Sequence, residues 1–161
     1  MYKVKDLMNT EIVSVQIDTK FKDILKTFYK YKYHTLPVLE DKKLIGVIKW
    51  ENIFQIFKPH PKYIEEFVSK LTFIPKEYRD VFNIDLSFEI SPEVLALCIA
   101  ADLVNTDFLA VSEDENISKV YKKMKERKVT KAFVIDENGN LKGILSLLDI
   151  ILGIFKKKGF I

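Results

Sequence analysis

One cysteine, one tryptophan and two histidines are all that 161 residues provide of those types. Cys98 by itself cannot close an internal disulfide or supply a thiolate metal cluster, and its apolar setting in Val94-Leu95-Ala96-Leu97-Cys98-Ile99 predicts a buried, inert thiol. His34 has no second histidine or carboxylate at metal-ligand spacing, which leaves a packing or phosphate-facing role. His60, between Pro59 and Pro61, reads as a surface turn residue. No glycine-rich phosphate loop is present, no nucleophile stands at triad-like spacing from a base, and no pair of catalytic carboxylates is evident. Catalysis is not expected. No apolar run reaches the roughly 18 to 20 residues that cross a bilayer, and the start Met1-Tyr2-Lys3-Val4-Lys5 lacks an apolar signal core. The expectation is a cytoplasmic protein without membrane insertion. A net charge of +3 is too mild, and the lysines too scattered, for a nucleic-acid face; the one basic cluster, Lys156-Lys157-Lys158, reads as a solvated end.

What is present is the balance of a folded domain: 48% apolar and 30% charged residues, in a length that suits one buried unit or two small ones sharing a core. The chain also repeats itself. Asp6-Leu7-Met8-Asn9-Thr10 aligns with Asp102-Leu103-Val104-Asn105-Thr106, an offset of 96, and the two stretches agree in kind for about fifty residues. In each copy a short alternation (Ile12, Val13, Val15; Phe108, Leu109, Val111) predicts a half-buried strand, and an acid follows, Asp18 or Asp114, fit to cap a helix. Phe21, Ile24, Leu25 and Phe28, and again Ile117, Val120, Tyr121 and Met124, share one helical face directed at a core. A second strand (Leu36–Leu39; Ala132–Ile135), a polar turn and a third strand follow. The later turn holds Asn138-Gly139, a strong hairpin signal. Both third strands carry a glycine, Gly46 and Gly143, which marks a close approach of backbone or ligand. Short helices close the copies, Trp50–Phe57 and Leu147–Phe155, and Trp50 is expected in the core or on a dimer face.

The predicted fold is α/β (α+β): two β-α-β-β-α units, over residues 1–57 and 100–161, related by an approximate twofold axis. Residues 58–99 are too apolar for a loose tether. Pro61 with Ile64, Phe67, Val68 and Leu71 reads as one amphipathic helix, Pro75 with Tyr78, Val81 and Phe82 as another, and Ser91-Pro92-Glu93 as a third helix start.

Lys5-Asp6-Leu7-Met8 at the start, His34-Thr35-Leu36-Pro37-Val38 in the middle and Gly143-Ile144-Leu145-Ser146-Leu147-Leu148-Asp149 at the end, arranged twice over, resemble the CBS domains. These occur in tandem as Bateman modules. The resemblance covers residues 4–57 and 100–155 and implies binding of an adenosine-containing ligand, AMP, ADP, ATP or S-adenosylmethionine, in clefts between the copies. It implies further that Asp149 takes the ribose hydroxyls, with Ser146 near ribose or phosphate and Gly143 keeping the approach open. The adenine slot would come from Thr130, Lys131 and Ala132 with Thr10, Ile12 and Val13, and Lys131 is the candidate for a phosphate. An ionised carboxylate can accept from both hydroxyls of a cis-diol, which makes the assignment chemically sensible. Ser146 and Asp149 also suit an ordinary helix cap.

The first copy departs from that pattern. Lys49 stands where Ser or Thr belongs and Asn52 where aspartate belongs. The second cleft, lined by Lys49, Asn52, His34, Thr35, Thr106 and Phe108, is therefore the weaker one, although Lys49 can hold phosphate as a point charge. The resemblance also implies a homodimer. Its functional reading is a non-catalytic, ligand-sensing regulatory module; the alternative is an interaction scaffold for a protein partner, with vestigial clefts, and a third is nucleic-acid binding.

Overall fold

Apolar alternation and helical stripes recur at one offset, and each copy turns them into one three-stranded sheet with helices against it. The computed structural model describes residues 1–54 and 92–161. The first copy contains α1 (Val4–Leu7), β1 (Val15–Gln16), α2 (Phe21–Tyr31), β2 (Thr35–Glu40), β3 (Lys43–Lys49) and α3 (Trp50–Ile53). After α4 (Pro92–Leu97) the second repeats the order with α5 (Ala100–Leu103), β4 (Ala110–Val111), α6 (Ile117–Glu126), β5 (Lys131–Ile135), β6 (Leu141–Ser146) and α7 (Leu147–Lys157). The two predicted helices between Pro61 and Phe82, His60 and the end of the helix expected to reach Phe57 lie outside the described residues.

In both sheets the first strand runs parallel to the second, and the second antiparallel to the third. A parallel pair needs a crossover, which α2 and α6 provide. The hairpin β5–β6 turns at Gly139 with φ 81°, where its missing Cβ removes the steric penalty; in β2–β3 Asp41 takes the left-handed conformation at φ 55°.

Three local expectations need correction. The first strand of each copy is only two residues long, because the stretch before it leaves to contact the other copy. Asp18 and Asp114 do not cap. α2 starts after Lys20 without a side-chain cap, whereas α6 is capped by Asn116, whose Oδ1 accepts from Ser118 N at 2.8 Å. Asp114 instead accepts from Lys5 Nζ at 2.8 Å. On the helices, Phe21, Ile24, Ile117, Val120 and Met124 are buried, but Leu25 and Tyr121, equivalent positions, stand at the edge of the stripe and remain exposed.

The cores show how the copies are joined. Val4 and Leu7 of α1 pack with Leu109, Val111, Ile117, Val120, Met124, Ala132, Val134, Leu145 and Ile150, all from the second copy. Ala100 and Leu103 of α5 complete the core of the first, with Val15, Phe21, Ile24, Leu36, Val38 and Ile48. The copies thus exchange their opening turns. Backbone bonds hold each exchange: Val4 N to Glu115 O at 3.0 Å and Ile117 N to Tyr2 O at 3.0 Å, mirrored by Ala100 N to Thr19 O at 2.9 Å and Phe21 N to Cys98 O at 3.0 Å.

On the approximate twofold axis, Lys43 bridges Asn140, flanked by Leu44 N to Gly139 O and Leu141 N to Lys42 O, both 3.0 Å. Leu44, Val47 and Phe133 form the apolar seam beside it. Cys98 is half-buried at the first core, and burial first, then the charge of Asp102, raises its thiol pKa, as suits an unreactive group.

Candidate ligand cleft between the copies

A cleft of about 360 Å³ opens where the end of the first copy meets the start of the second. Strand β2 begins just after His34, which brings His34 and Thr35 to one wall, and the β3–α3 junction adds Lys49 and Trp50. From the other copy come Asp107 and Phe108, ahead of β4, with Thr130 and Lys131 at the start of β5. Val47, Leu109 and Phe133 give it an apolar base, and Phe108 meets Phe133 edge to face at 5.9 Å.

Six predicted residues therefore share one cavity: His34, Thr35, Lys49 and Phe108 of the cleft expected to be weak, and Thr130 and Lys131 of the other. Asn52 and Thr106 stand off its wall, as do Asp149, Ser146, Gly143, Ala132, Thr10, Ile12 and Val13. Ala132 and Gly143 are buried, Ile12, Val13, Ser146 and Asp149 half-buried, and Thr10 exposed. Gly143 serves a backbone approach: a Cβ there would lie 2.8 Å from Met8 Sδ and 3.1 Å from Asn9 O, because Asn9 and Ile144 exchange two backbone hydrogen bonds.

Lys131 joins the two regions. It sits opposite Ser146 on β6, and its ammonium lies 5.6 Å from the Tyr33 ring centroid. Burial lowers its pKa, and the nearby Asp149 carboxylate opposes that shift. Trp50, expected in the core or on a dimer face, is not in the core: it is exposed and lines the cleft wall. Asp107, Glu51 and Lys128 also line the cleft and carried no motif signal beyond their places in the repeat.

Asp149 has a structural role. Its Oδ2 accepts from Ser146 N and from Ser146 Oγ, both at 2.7 Å, and its own N–H donates to Ser146 Oγ at 3.0 Å, a capping box at the start of α7. Oδ1 takes no bond from the described residues. In the first copy Asn52 Oδ1 accepts from Lys49 N at 2.9 Å, so an amide does the same work. Asp149→Asn should therefore leave the unfolding midpoint near wild type, whereas Asp149→Ala should cost about 1 kcal/mol in urea denaturation. Equal loss in both would mean that charge, not the cap, is what α7 needs.

The CBS domain pattern matches residues 4–58 and 100–156. Two uncharacterized proteins of Methanocaldococcus jannaschii are similar in sequence, one 27% identical and the other 25% identical, each over 92% of this chain. The chain spans 88% of the first and 43% of the second. Among solved structures, CBSX2 of Arabidopsis thaliana in complex with AMP superposes with a TM-score of 0.68 at 20% identity, covering 98% of this chain and 99% of that one. The CBS domain of the bacterial CNNM/CorC family Mg2+ transporter in complex with ATP does so with a TM-score of 0.62 at 19% identity, covering 94% and 86%. These likenesses show a shared fold. With its two matched segments, exchanged opening turns and paired sheets, this chain belongs to the CBS domain family as a tandem pair.

Proposed function

We propose that this chain is a regulatory module that binds an adenine nucleotide, AMP, ADP or ATP, between its copies and performs no covalent chemistry of its own. The observation that carries this reading is the cleft in which Lys49 and Lys131, from opposite copies, share a wall with Trp50 and Phe108 over an apolar base. Ammonium groups suit phosphate, and aromatic and apolar surface suits a flat base. Support comes from the similar folds solved with AMP and with ATP. S-adenosylmethionine fits less well, because its sulfonium cation would meet two lysines. Since the phosphate would touch both copies, its affinity would differ between relative arrangements of the halves, which is the requirement for a ligand to shift them. The apolar outer side of α7, with Leu148, Ile151, Leu152 and Phe155 all exposed, supports a homodimer as the unit that transmits the change.

Isothermal titration with AMP, ADP and ATP, paired with sedimentation of the same samples for self-association, tests the reading. Lys131→Met should weaken ATP by about tenfold or more, the loss of a charge-assisted hydrogen bond worth about 1.5–3 kcal/mol. Binding needs the ammonium form, and burial lowers that pKa, so ATP affinity should decline with rising pH earlier than an ordinary lysine would dictate. Silence from all three nucleotides at millimolar concentration would sink the proposal. If a ligand also sits against Asp149, as the motif implies, Asp149→Asn should abolish one binding step and leave the cap intact.

A further inference from the structure

The first copy has lost its motif's carboxylate at Asn52, a position off the cleft wall, yet carboxylates from elsewhere line the cleft. Asn52 replaces that acid, and its Oδ1 is engaged by Lys49 N at 2.9 Å. The carboxylates on the described wall are Glu51 and Asp107. Glu51 is exposed on the one-turn α3. Asp107 is fixed in place twice: its N–H donates to Asn105 Oδ1 at 2.8 Å in a local turn, and its Oδ1 accepts from Arg127 Nη2 at 3.2 Å, while Arg127 Nη1 donates to Phe108 O at 3.4 Å. Oδ2 of Asp107 accepts no bond from the described residues.

The same stretch of the first copy gives a control within the molecule. Glu11 makes the equivalent turn, its N–H donating to Asn9 Oδ1 at 2.9 Å, but the residue aligned with Arg127 is Tyr31, which offers no guanidinium. The arginine-held carboxylate thus occurs on the side where the motif's acid has become Asn52, and is missing on the side where Asp149 is kept. We infer that Asp107, positioned by Arg127, is the group that accepts the ribose diol of a nucleotide in the Lys49–Lys131 cleft, in place of the acid lost at Asn52. This rests on the adenine-nucleotide reading above.

The chemistry is consistent at each end. Phosphate goes to Lys49 and Lys131, the base to Trp50 and Phe108, and two hydroxyl donors suit a carboxylate, whose roughly four lone-pair sites leave room for both beside the Arg127 bond to Oδ1. Asp107 stands at the mouth, with its side chain 80% exposed, so an isosteric amide there leaves the fold intact. Arg127 also offsets a charge that would otherwise repel the phosphate.

The test is titration of wild type, Asp107→Asn and Asp149→Asn with ATP, 2′-deoxy-ATP, ITP and inorganic pyrophosphate. Wild type should prefer ATP over 2′-deoxy-ATP by about tenfold, one charge-assisted hydrogen bond. In Asp107→Asn that ratio should fall toward one, with pyrophosphate bound as well as before or better. Persistence of the ratio in Asp107→Asn, its collapse in Asp149→Asn instead, or a collapse of the ATP-to-ITP ratio alone would each overturn the assignment. A wild type that binds pyrophosphate but no nucleotide, or nothing at all, removes the underlying reading as well.

Discussion

A chain lacking residues 1–8 should lose structure first in its second half, not in the half that has been shortened. Val4 is fully buried and Leu7 9% exposed, and both sit in the core that α6, β5 and β6 form. Three backbone bonds to the second copy go with them: Val4 N to Glu115 O, Lys5 N to Glu113 O and Ile117 N to Tyr2 O. Truncating one buried leucine to alanine costs about 2–5 kcal/mol, and a domain has only about 5–15 kcal/mol of net stability. Removing two core residues with their turn should therefore leave the second copy largely unfolded at room temperature. The point variant Leu7→Ala should lower stability by about 3 kcal/mol while remaining folded. Native-state hydrogen exchange reads the location: in Leu7→Ala, amides of β5 and β6 should lose protection before those of β2 and β3. If β2 and β3 open first, the exchange of opening turns is wrong.

A methyl group at position 46 should be nearly as damaging, and more so than one at 143. An alanine Cβ at Gly46 would lie 2.5 Å from Val104 Cγ2 and 2.6 Å from Asn105 O. The valine can rotate; the carbonyl cannot, because Val47 N donates to it at 2.8 Å and Asn105 N returns a bond to Val47 O at 2.7 Å. One seam contact must break. At Gly143 the nearest atom is the flexible Met8 Sδ at 2.8 Å, with Asn9 O at 3.1 Å. Overpacking costs about 1–3 kcal/mol, so Gly46→Ala belongs at or above the upper end and Gly143→Ala near the lower. Denaturant unfolding of both, compared at equal slope, gives the order. The reverse order would show that the seam at Asn105 is softer than its hydrogen bonds indicate.

Much of the fold was legible because it depends on local rules applied twice. Periodicity placed α2 and α6 and chose Ile24, Val120 and Met124 for the core; Asn138-Gly139 located a hairpin; the glycines at 46 and 143 announced close approaches. Caps were less legible. Asp18 and Asp114 have the right chemistry but stand two residues too early, and in one copy the cap is simply absent. For the candidate cleft, the sequence offered residue types but not which of them share one wall. Lys131 and Thr130, assigned to the Asp149 side, line the same wall as Lys49 and His34, because the first strands peel away into the other copy and draw the two sheets together at the seam.

By itself the sequence determined the duplication, the order of elements and the residue types available to a ligand, since these follow from local periodicity and from one pattern that recurs at an offset of 96. Only the tertiary structure decided which core each opening turn fills, which lysines face one another and which carboxylate stands beside them. The physical reason is symmetry in the pattern: the two opening turns carry equivalent apolar residues, so spacing alone does not say which turn fills which core. Geometry across the seam, through the bonds of Asn9 and Asn105, selects the exchanged arrangement, and with it the cleft.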